Sequence, residues 1–359
     1  MSLLGHYWTI APRLRHGLWP LATPEARAWE TSLVDPVTGR VPVTGWLRER
    51  PAGGLPGGEE LVLLVHGLGG STESHYMVRG AHAADAAGLS CLRLNLRGCD
   101  RRSHDFFHAG LTADLHAALA SEELRGYRRI YVIGYSLGGH VALRLATEDV
   151  DPRVAGVAAL CAPLDLSLSQ QALDAPVRWP YRRYLLSSLI DIFAAVSARR
   201  PQALTAGEVA RIRTIREWDD RIVAPRHGFA DAGDYYARAS VAPRLGELRV
   251  PALLVNSEGD PMVPARPVRA VLRPAPRLEV RWVAGGGHVS FPRRLDIGME
   301  DGLGVDAQVL GWLRRQSRES GVNRDDKKDA SEGRHLGRGG RSRGGLDRRR
   351  TVGGPPPPR

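Results

Sequence analysis

A chain of 359 residues, 43% hydrophobic and 25% charged, buries a sizeable core as one large α/β domain with an insertion or as two ordinary domains, which excludes a disordered or fibrous protein. The formal charge of +11 invites nucleic acid as a partner. Residues 317–359 alone hold twelve Lys and Arg against six Asp and Glu, however, with no aromatic residue among them to stack on bases, so the expectation is a solvated, disordered basic tail and no nucleic acid.

In chain order, the N-terminus shows no basic start leading into a long apolar run, so no signal peptide is expected. Short runs rich in Val, Leu and Ile predict buried parallel strands at Leu61–Val65, Leu89–Leu94, Ile130–Tyr135, Val154–Leu160, Ala252–Asn256 and Leu278–Val283, with an edge strand at Val41–Leu47. Helical stretches at Ala81–Ala87, Thr112–Glu123 and Gly138–Ala146 supply the crossovers that parallel strands require. Between Leu160 and Ala252 the rhythm breaks into helices, including Tyr181–Arg200 and Gly207–Trp218. The longest apolar stretch, Leu185–Val196, is interrupted by Ser187, Ser188 and Asp191 and falls short of the roughly 20 residues of a spanning helix. No stable membrane anchor is expected, and the default address is cytoplasmic. Cys91, Cys99 and Cys161 are too scattered for a disulfide framework or a metal knuckle and read as reduced thiols.

The chemistry starts at Gly134-Tyr135-Ser136-Leu137-Gly138, a G-x-S-x-G sequence directly after one strand and before a helix. A serine on so tight a turn is exposed for attack, and glycines two residues either side remove Cβ atoms that would clash there. A hydroxyl is a poor nucleophile at neutral pH, so a base must lie in reach and a third group must orient that base. Candidates follow in chain order. Asp260 comes after the strand ending at Asn256, and His288 comes after the last strand behind Gly285-Gly286-Gly287. Glu258 and Asp165 rival Asp260 as the acid. The backbone N–H groups of Leu137 and of Leu68, within His66-Gly67-Leu68-Gly69-Gly70, are the candidate oxyanion donors. His66 reads as a brace of its glycine turn and His140 as packing. His75, His104 and His108 lack the carboxylate or thiolate spacing of a metal site, so neither metal nor cofactor is expected.

These segments, together with Thr9-Ile10-Ala11-Pro12, Asn95-Leu96-Arg97-Gly98-Cys99, His227-Gly228-Phe229, Asp234-Tyr235-Tyr236 and Asp260-Pro261, resemble the α/β-hydrolases of the type that includes the bacterial YheT-like proteins and the eukaryotic abhydrolase-domain 1 and 3 proteins. The resemblance implies hydrolysis or transfer of acyl esters without a cofactor. The eukaryotic relatives resemble membrane-anchored proteins, an anchor not expected in this chain, and the basic tail is foreign to the pattern.

The expected architecture is the α/β-hydrolase fold, a mostly parallel doubly wound sheet with a helical cap insertion. Its divisions are an N-terminal extension packing on the core over 1–40, core segments over 41–164 and 247–316, a cap over 165–246 and the tail over 317–359. The expected activity is cleavage of short- to medium-chain acyl esters through an acyl-Ser136 intermediate. Acyl transfer to an alcohol and a non-catalytic binding protein on the same fold remain alternatives. In the cap, Tyr184, Leu185, Leu189, Ile192, Phe193 and Val196 recur at helical spacing, a stripe that packs on the cap's own core or roofs the cleft over Ser136.

Overall fold

The computed structural model describes residues 2–50, 59–300 and 302–319. The fold lies within Met1–Ser317; a second unit, Arg318–Arg359, falls almost wholly outside the described residues, and so does most of the expected basic tail.

Eight strands form one sheet: β1 (Arg27–Asp35), β2 (Gly39–Arg48), β3 (Glu60–Val65), β4 (Ser90–Leu94), β5 (Arg129–Tyr135), β6 (Val154–Leu160), β7 (Ala252–Ser257) and β8 (Leu278–Val283). Their order is β1-β2-β4-β3-β5-β6-β7-β8. From β4 to β8 every neighbouring pair is parallel, while β2 runs antiparallel to both β1 and β4. This is the mostly parallel α/β sheet expected from the sequence. Every residue of β3 and β7 is buried, as strands covered on both faces must be. The two-residue alternation of β3 separates two cores: Leu61, Leu63 and Val65 face one apolar cluster, Val62 and Leu64 the other.

Helices cover both faces. They are α1 (Leu3–Leu18), α2 (His75–Ala86), α3 (Ala113–Ala120) and α4 (Leu137–Ala146), then α5 (Leu166–Asp174), α6 (Trp179–Ser197), the short α7 (Ala206–Val209), α8 (Ile215–Trp218) and α9 (Ala224–His227), α10 (Ala232–Ala239), α11 (Ala265–Val271) and α12 over 305–319. α2 and α12 pack in the second core, whereas α3, α4 and the helices between β6 and β7 pack in the first. The segment between β6 and β7 is helical throughout its regular structure. Its expected helix Gly207–Trp218 is broken, because Ala206–Val209 and Ile215–Trp218 each carry their own threonine cap, Thr205 and Thr214.

Two elements differ from expectation. The N-terminal stretch is not merely an extension: α1 covers 16 residues, and β1 pairs with β2 along nine register positions as the true sheet edge. An ion network also joins distant parts of the chain. The guanidinium of Arg97, in the turn after β4, reaches Asp114 (2.7 Å), Asp105 (2.9 Å) and Asp35 (3.1 Å), and Arg226 of α9 joins it at Asp105 (2.5 Å) and Asp35 (3.2 Å). Burial opposes the charge on Asp35, but the Val37 and Thr38 amides with Arg226 and Arg97 outweigh it and hold its carboxyl well below the usual range. The network fastens the inserted helices to the sheet.

Candidate active site

The first requirement is an exposed hydroxyl on a tight turn. Ser136 stands between β5 and α4 at φ 54° and ψ −121°, a backbone conformation that L-residues rarely adopt. What permits it is the approach of neighbouring backbone. A Cβ added at Gly134 would lie 2.1 Å from the Gly138 oxygen, and one added at Gly138 would lie 2.3 Å from the Val65 oxygen, so only glycine fits at either position. The Ser136 N–H is tied to the Leu160 oxygen at 2.8 Å, which leaves the side chain to line the large cavity above the strand ends.

His288 and Asp260 form a pair. His288 Nδ1 lies 2.9 Å from Asp260 Oδ2, with both side chains almost fully buried. A carboxylate can only accept, so Nδ1 carries a proton, and in the neutral ring the lone pair then falls to Nε2. The other carboxyl oxygen of Asp260 accepts from the Met262 and Val263 amides at 2.8 and 2.9 Å, fixing the acid in one orientation. His288 lines the same cavity as Ser136.

The rival acids lie elsewhere. Glu258 is paired with Arg269 at an exposed position. Asp165 caps α5 by accepting from the Leu168 amide at 2.8 Å.

Leu137 is the first residue of α4, so its N–H is one of the helix's unpaired donors. Leu68 occupies the second position of a turn closed by a bond from Gly70 N–H to the Gly67 oxygen at 3.0 Å, and Gly67 N–H is already bonded to the Tyr76 hydroxyl. Both leucines line the cavity. His66 braces this turn. Its Nε2 accepts from the Leu96 amide at 3.1 Å, so Nδ1 must donate to the Gly67 oxygen at 2.8 Å, and burial pushes its pKa down to about 4, which keeps the ring neutral.

Three supports escaped the sequence reading. Thr9 of α1 accepts from the His288 amide at 2.8 Å while its hydroxyl donates to the Gly5 oxygen at 2.7 Å. A Cβ added at Gly5 would lie 1.8 Å from the Gly259 oxygen, so α1 rests directly on the loop that carries Asp260. The segment Thr9–Pro12 marked the place without giving it a role. Cys161 is the second support: its sulfur accepts from the Val289 amide at 3.4 Å and donates to the Gly287 oxygen at 3.6 Å. The Cys161, Asp260 and His288 donor atoms lie within 4.8 Å of one another, a spacing that could suit a metal. Burial and the nearby Asp260 push the thiol well above its usual range, so a neutral S–H braces the loop there. The third is His75, whose Nε2 lies 2.8 Å from Ser290 Oγ and whose pKa burial pushes down to about 3. His104 bonds the Thr38 oxygen, and the His108 ring, whose Nδ1 accepts from the Gly110 amide, lies tilted at 54° to that of His227.

The cavity holds about 670 Å³, within the range of small-molecule sites. From α6, Tyr184, Leu185, Leu189 and Ile192 line it, whereas Phe193 stacks on Phe106 and Val196 is buried in the core. The stripe is therefore both roof and core. At the cavity wall Asp219 opens a π turn, Asp219–Val223, and accepts from the Tyr236 hydroxyl at 2.6 Å. Burial pushes its carboxyl up to about 7; the Tyr236 bond pulls the other way, and Asp174 and Asp220 add to the rise.

The Alpha/beta hydrolase family profile matches residues 62–296. The protein YheT of Escherichia coli (strain K12) is 33% identical over 267 residues, covering 70% of this chain and 76% of YheT. Medium-chain fatty acid ethyl ester synthase/esterase 2 of Saccharomyces cerevisiae is 28% identical over 267 residues, 64% of this chain and 58% of that protein. Human Phospholipase ABHD3 is 23% identical over 239 residues, again 64% and 58%. The chain thus spans under three-fifths of these two eukaryotic relatives. Among solved structures, the Pyrococcus furiosus esterase PF2001 aligns with a TM-score of 0.48 and 17% identity, covering 74% of this chain and 84% of that one.

Proposed function

From its membership of the Alpha/beta hydrolase family, to which this chain belongs, we propose that the protein is a serine carboxylic-ester hydrolase acting on short- to medium-chain acyl esters. The observation that carries the proposal is a serine on a strained strand-to-helix turn that lines one cavity together with His288, whose Nδ1 lies 2.9 Å from Asp260. In the proposed mechanism Ser136 Oγ attacks the ester carbonyl carbon as His288 Nε2 takes the hydroxyl proton. Asp260 keeps the imidazole in the required tautomer and steadies the cation that forms. The carbonyl electrons move to oxygen, where the Leu68 and Leu137 amides meet the oxyanion. Collapse expels the alcohol with the proton from His288. Water then repeats the sequence on the acyl-Ser136 ester and releases the acid. No metal or cofactor enters any step.

The apolar wall of Leu185, Leu189 and Ile192 supports an acyl chain as the part of the substrate held in the cavity. Each methylene sheltered there contributes up to about 0.8 kcal/mol, so kcat/KM for p-nitrophenyl esters rises by several-fold per added carbon beyond acetate until the cavity is full, then stops rising. A profile that is flat or greatest at acetate contradicts the acyl-chain role. Transfer to an alcohol is the second reading, favoured by the name of the yeast relative, which covers synthesis as well as hydrolysis. Product analysis in water with added ethanol separates the two: ethyl ester formed in preference to acid marks a transferase. A reducing, cytoplasmic setting belongs to the same proposal, and the three free, buried cysteines fit it.

A further inference from the structure

The N-terminal helix is amphipathic in the unusual sense. Its inward face is made of small and polar residues, Gly5 and Thr9, which are its buried positions. Its outward face carries Leu3, Tyr7, Ile10, Leu14 and Leu18, at spacings of three and four that keep them within one stripe, and Leu3 is 88% and Leu18 70% exposed. Trp19 continues the stripe at 71%. Among the described residues, eight of the fourteen exposed large hydrophobic side chains fall between positions 3 and 21. Two more, Val177 and Trp179, stand where α6 begins, and α6 is held beside α1 by His6 Nδ1, 2.5 Å from the Tyr181 hydroxyl, and by Arg13 stacked on the Tyr184 ring. A contiguous apolar face of this kind marks an interaction surface.

Its position and charge identify the partner. Ile10, Leu14 and Val177 are exposed and also line the cavity, so the patch borders the cavity mouth. Residues 3–21 and 176–190 contain no Asp or Glu, and Arg13, Arg15 and Arg183 are exposed among them. A second copy of the same face would set arginine against arginine, whereas anionic headgroups would neutralise the charge while the acyl region received the apolar side chains. Tyr and Trp at the margin suit the headgroup level. We propose that the outward face of α1, with the start of α6, docks reversibly on an anionic lipid surface and turns the cavity mouth toward the bilayer. The docking does not depend on the chemistry of Ser136.

The test is sedimentation of the full chain with vesicles of phosphatidylcholine alone and of phosphatidylcholine with phosphatidylglycerol. The wild-type protein should bind the mixed vesicles and bind the neutral ones several-fold more weakly. Replacing two outward residues that do not line the cavity, Tyr7→Glu with Leu18→Glu, should lower partitioning at least ~10-fold with an unchanged Tm. Arg15→Glu alone should weaken binding several-fold and reduce its salt dependence. Absence of wild-type binding overturns the proposal. Equal binding by the double variant also overturns it, because basic residues elsewhere, such as those of 317–359, would then carry the attraction. A wild-type dimer that the double variant converts to monomer assigns the face to a second copy and overturns it as well.

Discussion

The loops at the strand ends and the helices that cover them are built on different principles. Ser136, Asp260 and His288 stand after β5, β7 and β8, the first held by the Leu160 carbonyl, the second by the Met262 and Val263 amides and the third by the Thr9 hydroxyl, so their geometry is inherited from the strand ends. The covering helices touch the site mainly through apolar side chains of α6, α8 and the π turn, and they are fastened to the sheet by the Arg97 and Arg226 ion network. The difference teaches a division of labour: substitutions in the loops should change turnover for every ester, and substitutions in the cover should change which ester is preferred.

The largest effects test the loops. Ser136→Ala and His288→Ala should each lower kcat by roughly 10³-fold or more on every ester of the series, with Tm little changed. Asp260→Asn should fall in the same class, while Glu258→Gln and Asp165→Asn should leave turnover near wild type. A severe loss confined to Asp165→Asn would move the orienting role to α5.

The next effect tests the cover through pH. Asp219 has a folded pKa of about 7, raised from the ordinary 3.8, so the folded state binds a proton the unfolded state releases in that interval. Its stabilising contribution is complete below about 4 and is lost as pH rises through about 7. Asp219→Asn keeps an acceptor for Tyr236 without the charge. Relative to wild type it should therefore gain stability progressively from pH 4 to 8, by up to roughly 4 kcal/mol, as read by paired denaturation curves. A constant difference across that range would show that Asp219 does not titrate there.

Smaller effects follow from the join between the regions. Thr9→Ala strands the buried His288 amide and should lower kcat about 10-fold at nearly constant KM, with Thr9→Ser restoring it. A loss in Tm alone, with kcat intact, would reduce Thr9 to a packing role. Leu189→Trp narrows the cavity and should cut kcat/KM for the longer esters several-fold while sparing acetate, a split that a change in the loops would not produce.

Most of the sheet was legible because its strands are short runs rich in Val, Leu and Ile; β6 and β8 begin and end where those runs do. β1 was not. In Arg-Ala-Trp-Glu-Thr-Ser-Leu-Val-Asp only Trp29 is buried, so an edge strand left no apolar run to read. α1 was hidden for the opposite reason, since its apolar stripe faces outward, Pro12 lies within it, and its packing face is Gly5 and Thr9. The residues proposed for catalysis could be named because each follows a strand at a glycine-marked turn. Their supports could not, because Thr9 and His288 are 279 positions apart and Arg226 and Asp35 are 191 apart, and nothing local in the chain announces either pairing.

The central claim is that Ser136 is an activated nucleophile, and covalent labelling of the intact protein with a fluorophosphonate probe tests it most directly. The account predicts stoichiometric labelling mapped by peptide mass spectrometry to Ser136, absent in Ser136→Ala and strongly slowed in His288→Ala. A folded wild-type protein that remains unlabelled, or a label mapped to another residue, would contradict it.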